Sequence, residues 1–273
     1  QSLHGSPGAS PNDRLCRLLF LLGALRSSGA GRLTAVIPYL AYARKDRQTK
    51  RRDPLTLRYV AELIEAMGAH RVVTMEVHNL AAFQNAFRVE TAALDIRPVL
   101  TERAAAIAGQ GPVAVVSPDP GGVKRAQLFR EALERRLGRD VGMALLEKRR
   151  SAGVVSGSLM AGDVAGARAL VIDDLIASGG TVVRAARALA EAGATEVHAL
   201  AAHGLFTGGA GETLADPALA GVTVTDTVPP FRLADDAPLG GRLVVESAAP
   251  AMAEAIRRLH EGGSISDLIG IEG

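Results

Sequence analysis

The chain has 273 residues, 48% of them apolar and 22% charged, a globular composition that excludes a disordered or collagen-like protein. Its 31 basic and 29 acidic residues leave a formal net charge of +2, aromatics make up 3% and Trp is absent, so neither the basic field nor the stacking rings of a nucleic-acid binder are expected. One cysteine, Cys16, rules out an internal disulfide and fits a reducing, cytoplasmic setting.

The chain opens on Gln1, and a natural N-terminal segment is expected before it. Ser10, Pro11 and Asp13 supply the N-cap, first-turn proline and third-position acid of a helix predicted over 12–26. Its apolar run is far shorter than the ~20 residues that span a bilayer, so no membrane segment is expected. Then follow strand 33–37, helix 55–66, strand 71–75, helix 98–108, strand 113–116, helix 122–137 and strands 142–146 and 168–172. Helix 180–192, strands 197–201, 222–225 and 242–245, and helix 251–261 complete the order. Residues 151–166, rich in Gly, Ser and Ala with little periodicity, predict a mobile loop. Strands spaced by helices predict an α/β fold with mostly parallel sheets flanked by helices.

The order repeats internally. Residues 56–69 align with 181–194 at an offset of 125, and the register carries on to place His78 opposite His203. Upstream, Ala35-Val36-Ile37 corresponds to Leu170-Val171-Ile172 at an offset of 135, which makes the first copy's loop ten residues longer. The pattern predicts two α/β domains of common design whose loops have diverged. The boundary is placed near Arg97: residues 1–97 with about 251–273 form the first domain, and 98–250 the second.

The sharpest chemical motif is Val171-Ile172-Asp173-Asp174-Leu175-Ile176-Ala177-Ser178-Gly179-Gly180-Thr181. An apolar strand runs into two carboxylates, a small-residue turn and a helix. A helix N-terminus offers unpaired N–H groups and a positive dipole end, which suit a phosphate. Ala177, Ser178, Gly179 and Gly180 are small enough to let it approach the backbone, and Ser178 and Thr181 add hydroxyls. Asp173 and Asp174 are placed to accept hydrogen bonds from vicinal ribose hydroxyls, at the strand end where open α/β sheets bind ligands. The competing reading is a plain capped turn.

Three further segments carry candidate groups. Pro38 to Asp53 is a basic loop with Arg44 and Lys45 nearest the strand. Asp119-Pro120-Gly121-Gly122 reads as a strand-to-helix turn that frees backbone N–H groups. Glu147-Lys148-Arg149-Arg150 follows a strand and precedes the expected loop. His78 sits at the ligand edge of the first copy, while His203 reads as structural.

The Asp173–Thr181 segment resembles the signature loop of the type I phosphoribosyltransferase fold. The segments Val36-Ile37-Pro38-Tyr39-Leu40-Ala41-Tyr42-Ala43-Arg44-Lys45-Asp46-Arg47, Thr74-Met75-Glu76-Val77-His78 and Val115-Val116-Ser117-Pro118-Asp119-Pro120-Gly121-Gly122-Val123-Lys124-Arg125 resemble those of the ribose-phosphate pyrophosphokinase family. The tail, Ala253–Glu261 and then Ser264-Ile265-Ser266, is similar to that family's as well. Two departures stand out: Lys45 where the family usually has Gln, and Ala177-Ser178 where it usually has Asp-Thr.

The resemblance implies two tandem phosphoribosyltransferase-like domains. It implies transfer of diphosphate from Mg²⁺-ATP to the 1-hydroxyl of ribose 5-phosphate, giving phosphoribosyl pyrophosphate and AMP. Arg44, Lys45, His78 and Asp119 would hold ATP, with His78 and Asp119 at the Mg²⁺. Asp173, Asp174, Ala177, Ser178, Gly179, Gly180, Thr181 and Arg150 would hold ribose 5-phosphate. Lys148 and Arg150 would act on the transferring group from a flexible catalytic loop. It further implies a homo-oligomer, dimer or hexamer, assembled through the first domain. The competing functions are a non-catalytic regulatory paralogue of a synthetase and a phosphoribosyltransferase.

Overall fold

The computed structural model describes residues 1–151, 154–233 and 239–270. In chain order the elements are α1 (Pro11–Ser27), β1 (Thr34–Ile37), α2 (Thr56–Ala66), β2 (Arg71–Met75), α3 (Leu80–Ala86), β3 (Glu90–Leu94), α4 (Arg97–Ala108) and β4 (Val113–Ser117). There follow α5 (Val123–Leu137), β5 (Gly142–Ser151), β6 (Val154–Ala161), β7 (Arg168–Ile176), α6 (Gly180–Glu191) and β8 (Glu196–Gly204). The last are α7 (Ala210–Leu214), β9 (Gly221–Thr225), β10 (Leu243–Glu246) and α8 (Ala249–Glu261). The chain divides into two compact units, Gln1–Ile96 with Ala248–Gly273, and Arg97–Ser247.

The first unit carries a parallel three-stranded sheet in the order β1-β2-β3. Its core gathers Ile37, Leu57, Ile64, Val72 and Phe83, all nearly or fully buried. Phe83 meets Phe87 edge-on, with ring centroids 5.2 Å apart. The first helix starts where the sequence sets it. Ser10 Oγ accepts from the Asp13 amide and Asp13 Oδ2 accepts from the Ser10 amide, a reciprocal capping box with Pro11 in the first turn.

The second unit carries a seven-stranded sheet in the order β10-β9-β8-β7-β4-β5-β6, parallel except for the antiparallel β5–β6 pair. Its central strands are near-continuous apolar runs, as expected for a sheet covered on both faces: all of β4 is buried, and most of β7 and β8. Val182, Val183, Ala185, Ala186 and Leu189 turn one face of α6 into the core, where they meet Phe206 and Leu214.

The structure corrects three expectations. Residues 151–166 do not form a loop throughout, because Val154–Ala161 pairs as β6 against β5. Strands β5, β7 and β8 run five, four and three residues past the C-terminal ends of their predicted spans, so Asp173 and Asp174 lie within β7. The repeat register also shifts by one. Val36 pairs with Val73 and Leu170 with His198, so Val36 corresponds to Leu170 and the offset there is 134. In a strand buried on both faces, such as β7, a one-residue slip exchanges one apolar residue for another. The sequence match alone therefore does not pin the register.

Candidate active site

In the second unit, β7 delivers Asp173 and Asp174 to the sheet's C-terminal edge. Asp174 is 5% exposed and Arg125, from the first turns of α5, stands 4.0 Å from its Oδ1. The Asp174 amide donates to Asp173 Oδ1 at 2.9 Å. Burial, then the hydrogen bond to Asp174 and its charge, pushes the Asp173 carboxyl up to about 7, while the Asp174 amide and Arg125 pull the other way. Two carboxylates this close do not both ionise readily, so Asp173 holds its proton more tightly than an ordinary carboxyl and is poised to shed it when hydroxyls or a cation replace it.

Ala177, Ser178 and Gly179 then turn the chain into α6. Gly179 is left-handed at φ +81°, and a Cβ there would fall 2.7 Å from Leu214 Cγ, so only glycine fits. No side chain caps α6. Its first-turn amides, including those of Gly180 and Thr181, have no carbonyl one turn back to bond. Ser178 is exposed and Thr181 half-buried, and neither hydroxyl has a protein partner among the described residues. An open, positive, small-residue helix start beside a carboxylate pair can seat a phosphate joined to a polyhydroxyl body.

The Asp119 turn is built differently from expectation. The amides of Gly121 and Gly122 are not free, because both donate to Asp119 Oδ1, at 2.9 and 3.2 Å. Asp is a favoured N-cap for that reason, and here it caps a 3₁₀ turn, Pro120–Gly122, that leads into α5. Gly122 is packed so closely that a Cβ would meet Ser117 Oγ at 2.8 Å. The turn therefore offers no nest of free amides, and the cap commits one Asp119 carboxylate oxygen, Oδ1. Lys148 and Arg150 fall within β5, paired to β6 across a register break between them. Their side chains lie outside the described residues.

In the first unit the basic loop is knitted by one carboxylate. Asp53 Oδ2 accepts from Lys45 Nζ at 2.6 Å, the Thr49 amide at 3.0 Å, Thr49 Oγ1 at 2.8 Å and the Lys50 amide at 2.8 Å. The Lys45 and Thr49 hydrogen bonds hold the Asp53 carboxyl far below its ordinary range. Asp46 accepts from Asn79 Nδ2 at 2.8 Å, tying the loop to the N-cap of α3. Arg44 is left exposed on it. Lys45 is thus committed inside the loop, whereas the sequence suggested it for a polyphosphate. Asp53 was not among the sequence candidates, although an Asp closing a polar turn on its own backbone amides is a recognisable local signal. Arg125, also not singled out, sits in the quoted 115–125 segment.

His78 and His203 show how one register yields two environments. β2 stops at Met75 and Glu76 turns left-handed at φ +41°, which carries His78 out to solvent. β8 continues through His203, which is 3% exposed with Nδ1 2.8 Å from Thr227 Oγ1.

Among the described residues no three His, Cys, Asp or Glu side chains converge into a metal cage. The groups present still suit Mg²⁺ that arrives with a polyphosphate. Mg²⁺ keeps waters, draws most of its oxygens from substrate and needs only one or two protein carboxylates. Asp119, with one oxygen uncommitted by its cap, and the Asp173–Asp174 pair are of that kind.

A largely parallel sheet flanked by helices, with a carboxylate pair and an uncapped small-residue helix start at its C-terminal edge, has the architecture of the phosphoribosyltransferase-like fold. Residues 1–68 match the family model described as the N-terminal domain of ribose phosphate pyrophosphokinase, and 155–270 that of a phosphoribosyl synthetase-associated domain. The ribose-phosphate pyrophosphokinase of Caldanaerobacter subterraneus subsp. tengcongensis is 42% identical over 261 residues, covering 95% of this chain and 79% of that one. That of Pasteurella multocida is 41% identical over 261 residues, covering 94% and 80%. The crystal structure of phosphoribosylpyrophosphate synthetase from Mycobacterium smegmatis aligns with a TM-score of 0.82 at 32% identity, over 95% of this chain and 81% of that one. The chain belongs to the ribose-phosphate pyrophosphokinase family.

Proposed function

We propose that this protein transfers diphosphate from ATP, bound as its Mg²⁺ complex, to the 1-hydroxyl of ribose 5-phosphate. The 1-oxygen attacks the β-phosphorus, the bond from that phosphorus to the oxygen of AMP breaks, and the hydroxyl proton is released. The products are phosphoribosyl pyrophosphate and AMP. The observation that carries the reading is the uncapped, glycine-only start of α6 beside the touching Asp173 and Asp174.

In this reading Ala177, Ser178, Gly179, Gly180 and Thr181 hold the 5-phosphate through amides and hydroxyls. Asp173 and Asp174 accept from the ribose hydroxyls, which orients the 1-hydroxyl for attack. On the nucleotide side, Arg44 and His78 offer donors to ATP and Asp119 offers an oxygen to its Mg²⁺, which neutralises phosphate charge. Lys45 keeps the basic loop folded around Asp53 and so presents Arg44. Lys148 and Arg150 supply the cations that stabilise the transferring phosphoryl group. We also propose a homo-oligomer, dimer or hexamer, and a cytoplasmic setting. Among the described residues no helix is long and apolar enough to cross a membrane, and Cys16 is an exposed free thiol.

The test is AMP formation from ATP, Mg²⁺ and ribose 5-phosphate, with Lys148→Ala alongside. Turnover that needs ribose 5-phosphate and falls by about 10²–10³ in the variant is expected, the usual cost of a lost transition-state donor. No turnover by folded protein sinks the reading and leaves the regulatory paralogue.

A further inference from the structure

The segment after β8 braces the loop after β7 from behind. The amides of Leu205 and Phe206 both donate to the Ile176 carbonyl, at 2.9 and 3.2 Å, and the Thr207 amide donates to the Ala177 carbonyl at 3.0 Å. A trans peptide unit is planar, with its C=O and N–H pointing in opposite directions. Turning the Ile176 and Ala177 carbonyls back toward 205–207 therefore aims the Ala177 and Ser178 N–H groups the opposite way. Those two amides join the uncapped first turn of α6 as donors to an anion.

The brace is held in an unusual conformation. Phe206 is left-handed at φ +44°, a region a phenylalanine rarely enters, and it is 2% exposed. Its ring occupies the space a side chain at residue 204 would take: a Cβ on Gly204 would lie 2.4 Å from Phe206 Cε2. Strain of this kind persists where the surroundings over-determine it, and it concentrates at functional sites.

We propose that Phe206, locked left-handed over Gly204, is a positioning residue that aims the Ala177 and Ser178 amides and so sets the affinity for the 5-phosphate of the sugar substrate. The proposal rests on the reading of this loop as the ribose 5-phosphate site. Phe206 touches no reacting atom; it acts through three backbone hydrogen bonds.

The experiment compares Phe206→Asn and Gly204→Ala with the parent in steady-state kinetics of AMP formation. Asn tolerates the left-handed backbone but brings no ring, while the alanine methyl drives the ring out of its place. KM for ribose 5-phosphate is expected to rise on the order of 10- to 100-fold, the effect of mis-aiming one or two charge-assisted hydrogen bonds. KM for Mg²⁺-ATP should stay within about twofold, and kcat at saturating sugar within a few-fold. Adding Gly204→Ala to Phe206→Asn should cost far less than Gly204→Ala alone, because the ring it collides with is gone and only Val224 Cγ2, 3.1 Å from the new methyl, must give. An unchanged KM for ribose 5-phosphate in folded Phe206→Asn overturns the proposal, as does an equal rise for both substrates. If Gly204→Ala does not fold, Phe206→Asn decides alone. A parent chain with no ribose 5-phosphate-dependent turnover overturns the functional reading instead, before any variant is made.

Discussion

Replacing Asp173 with Asn removes a charge that the fold opposes. In the folded chain the Asp173 carboxyl titrates at about 7 against an ordinary 3.8, chiefly through burial and then through Asp174. Between about pH 4 and pH 7 the folded protein therefore holds a proton that the unfolded chain has released. Stability falls as pH rises through that window and is flat above it. At about 1.4 kcal/mol per tenfold change in proton affinity, the interval from 3.8 to about 7 caps the effect at about 4 kcal/mol. Sharing of the proton with Asp174 and the partial exposure of Asp173 bring the expected gain to about 2–4 kcal/mol. Asn has the same shape and keeps an oxygen to accept from the Asp174 amide. Asp173→Asn should accordingly be about 2–4 kcal/mol more stable than the parent at pH 8 and nearly equal to it at pH 4, while losing ribose 5-phosphate turnover. Urea unfolding followed by far-UV circular dichroism at unit pH steps measures this. A stability difference that does not change with pH, or a variant less stable at pH 8, refutes the reasoning.

Gly179→Ala combines a left-handed backbone with a methyl 2.7 Å from Leu214 Cγ. It should destabilise the protein by about 2–4 kcal/mol, read as a lowered melting temperature, and Leu214→Ala should recover part of the loss. Asp53→Ala removes the acceptor shared by Lys45, Thr49 and Lys50. KM for Mg²⁺-ATP should rise well beyond that of Lys45→Gln, since the amide can still bond Asp53 and hold the loop. Because the Asp53 carboxyl is held far below its ordinary value, its support is present above about pH 4 and lost only as pH falls further. Ser10→Ala breaks the capping box of α1 and should cost about 1 kcal/mol in urea unfolding, with activity per folded molecule unchanged.

Much of this architecture is readable from residues because local and tertiary demands agree. The Ser10-Pro11-Asp13 cap starts α1 where expected, and the Arg71–Met75 strand keeps its predicted bounds. The misses have physical reasons. β3 (Glu-Thr-Ala-Ala-Leu) lacks the β-branched density that marks a strand and is recruited by parallel pairing to β2. β6 is rich in Ser and Gly and forms because β5 offers it an edge. At the site, the paired Asp173–Asp174 and the glycine-only turn were visible in the one-dimensional pattern. The brace at 205–207 was not, because its work is done by backbone amides, which every residue but proline carries and no motif advertises.

The same distinction explains how the two copies of one frame came to differ. Each places a strand, a loop, a helix and a second parallel strand in order, and ligand-bearing groups stand on the loop after the first strand. In the second copy that loop spans 177–179, too short to fold on itself, and backbone amides of the neighbouring 205–207 segment fix it. In the first copy the loop runs from Pro38 to Leu55, too long to be fixed by its neighbours alone, and it carries its own staple in Asp53. A loop set by the frame is intolerant at its glycines and indifferent to much of its side-chain chemistry, which fits the loss of an acid at Ala177. A loop set by a side-chain staple is sensitive at Asp53 and at the partners of its carboxylate, so a lysine can stand at position 45 wherever its ammonium reaches that carboxylate. Exchanging the two strategies is therefore not symmetric: trimming the first loop should preserve the fold and remove Arg44's platform, whereas lengthening the second should detach the amides of Ala177 and Ser178 from the brace that aims them.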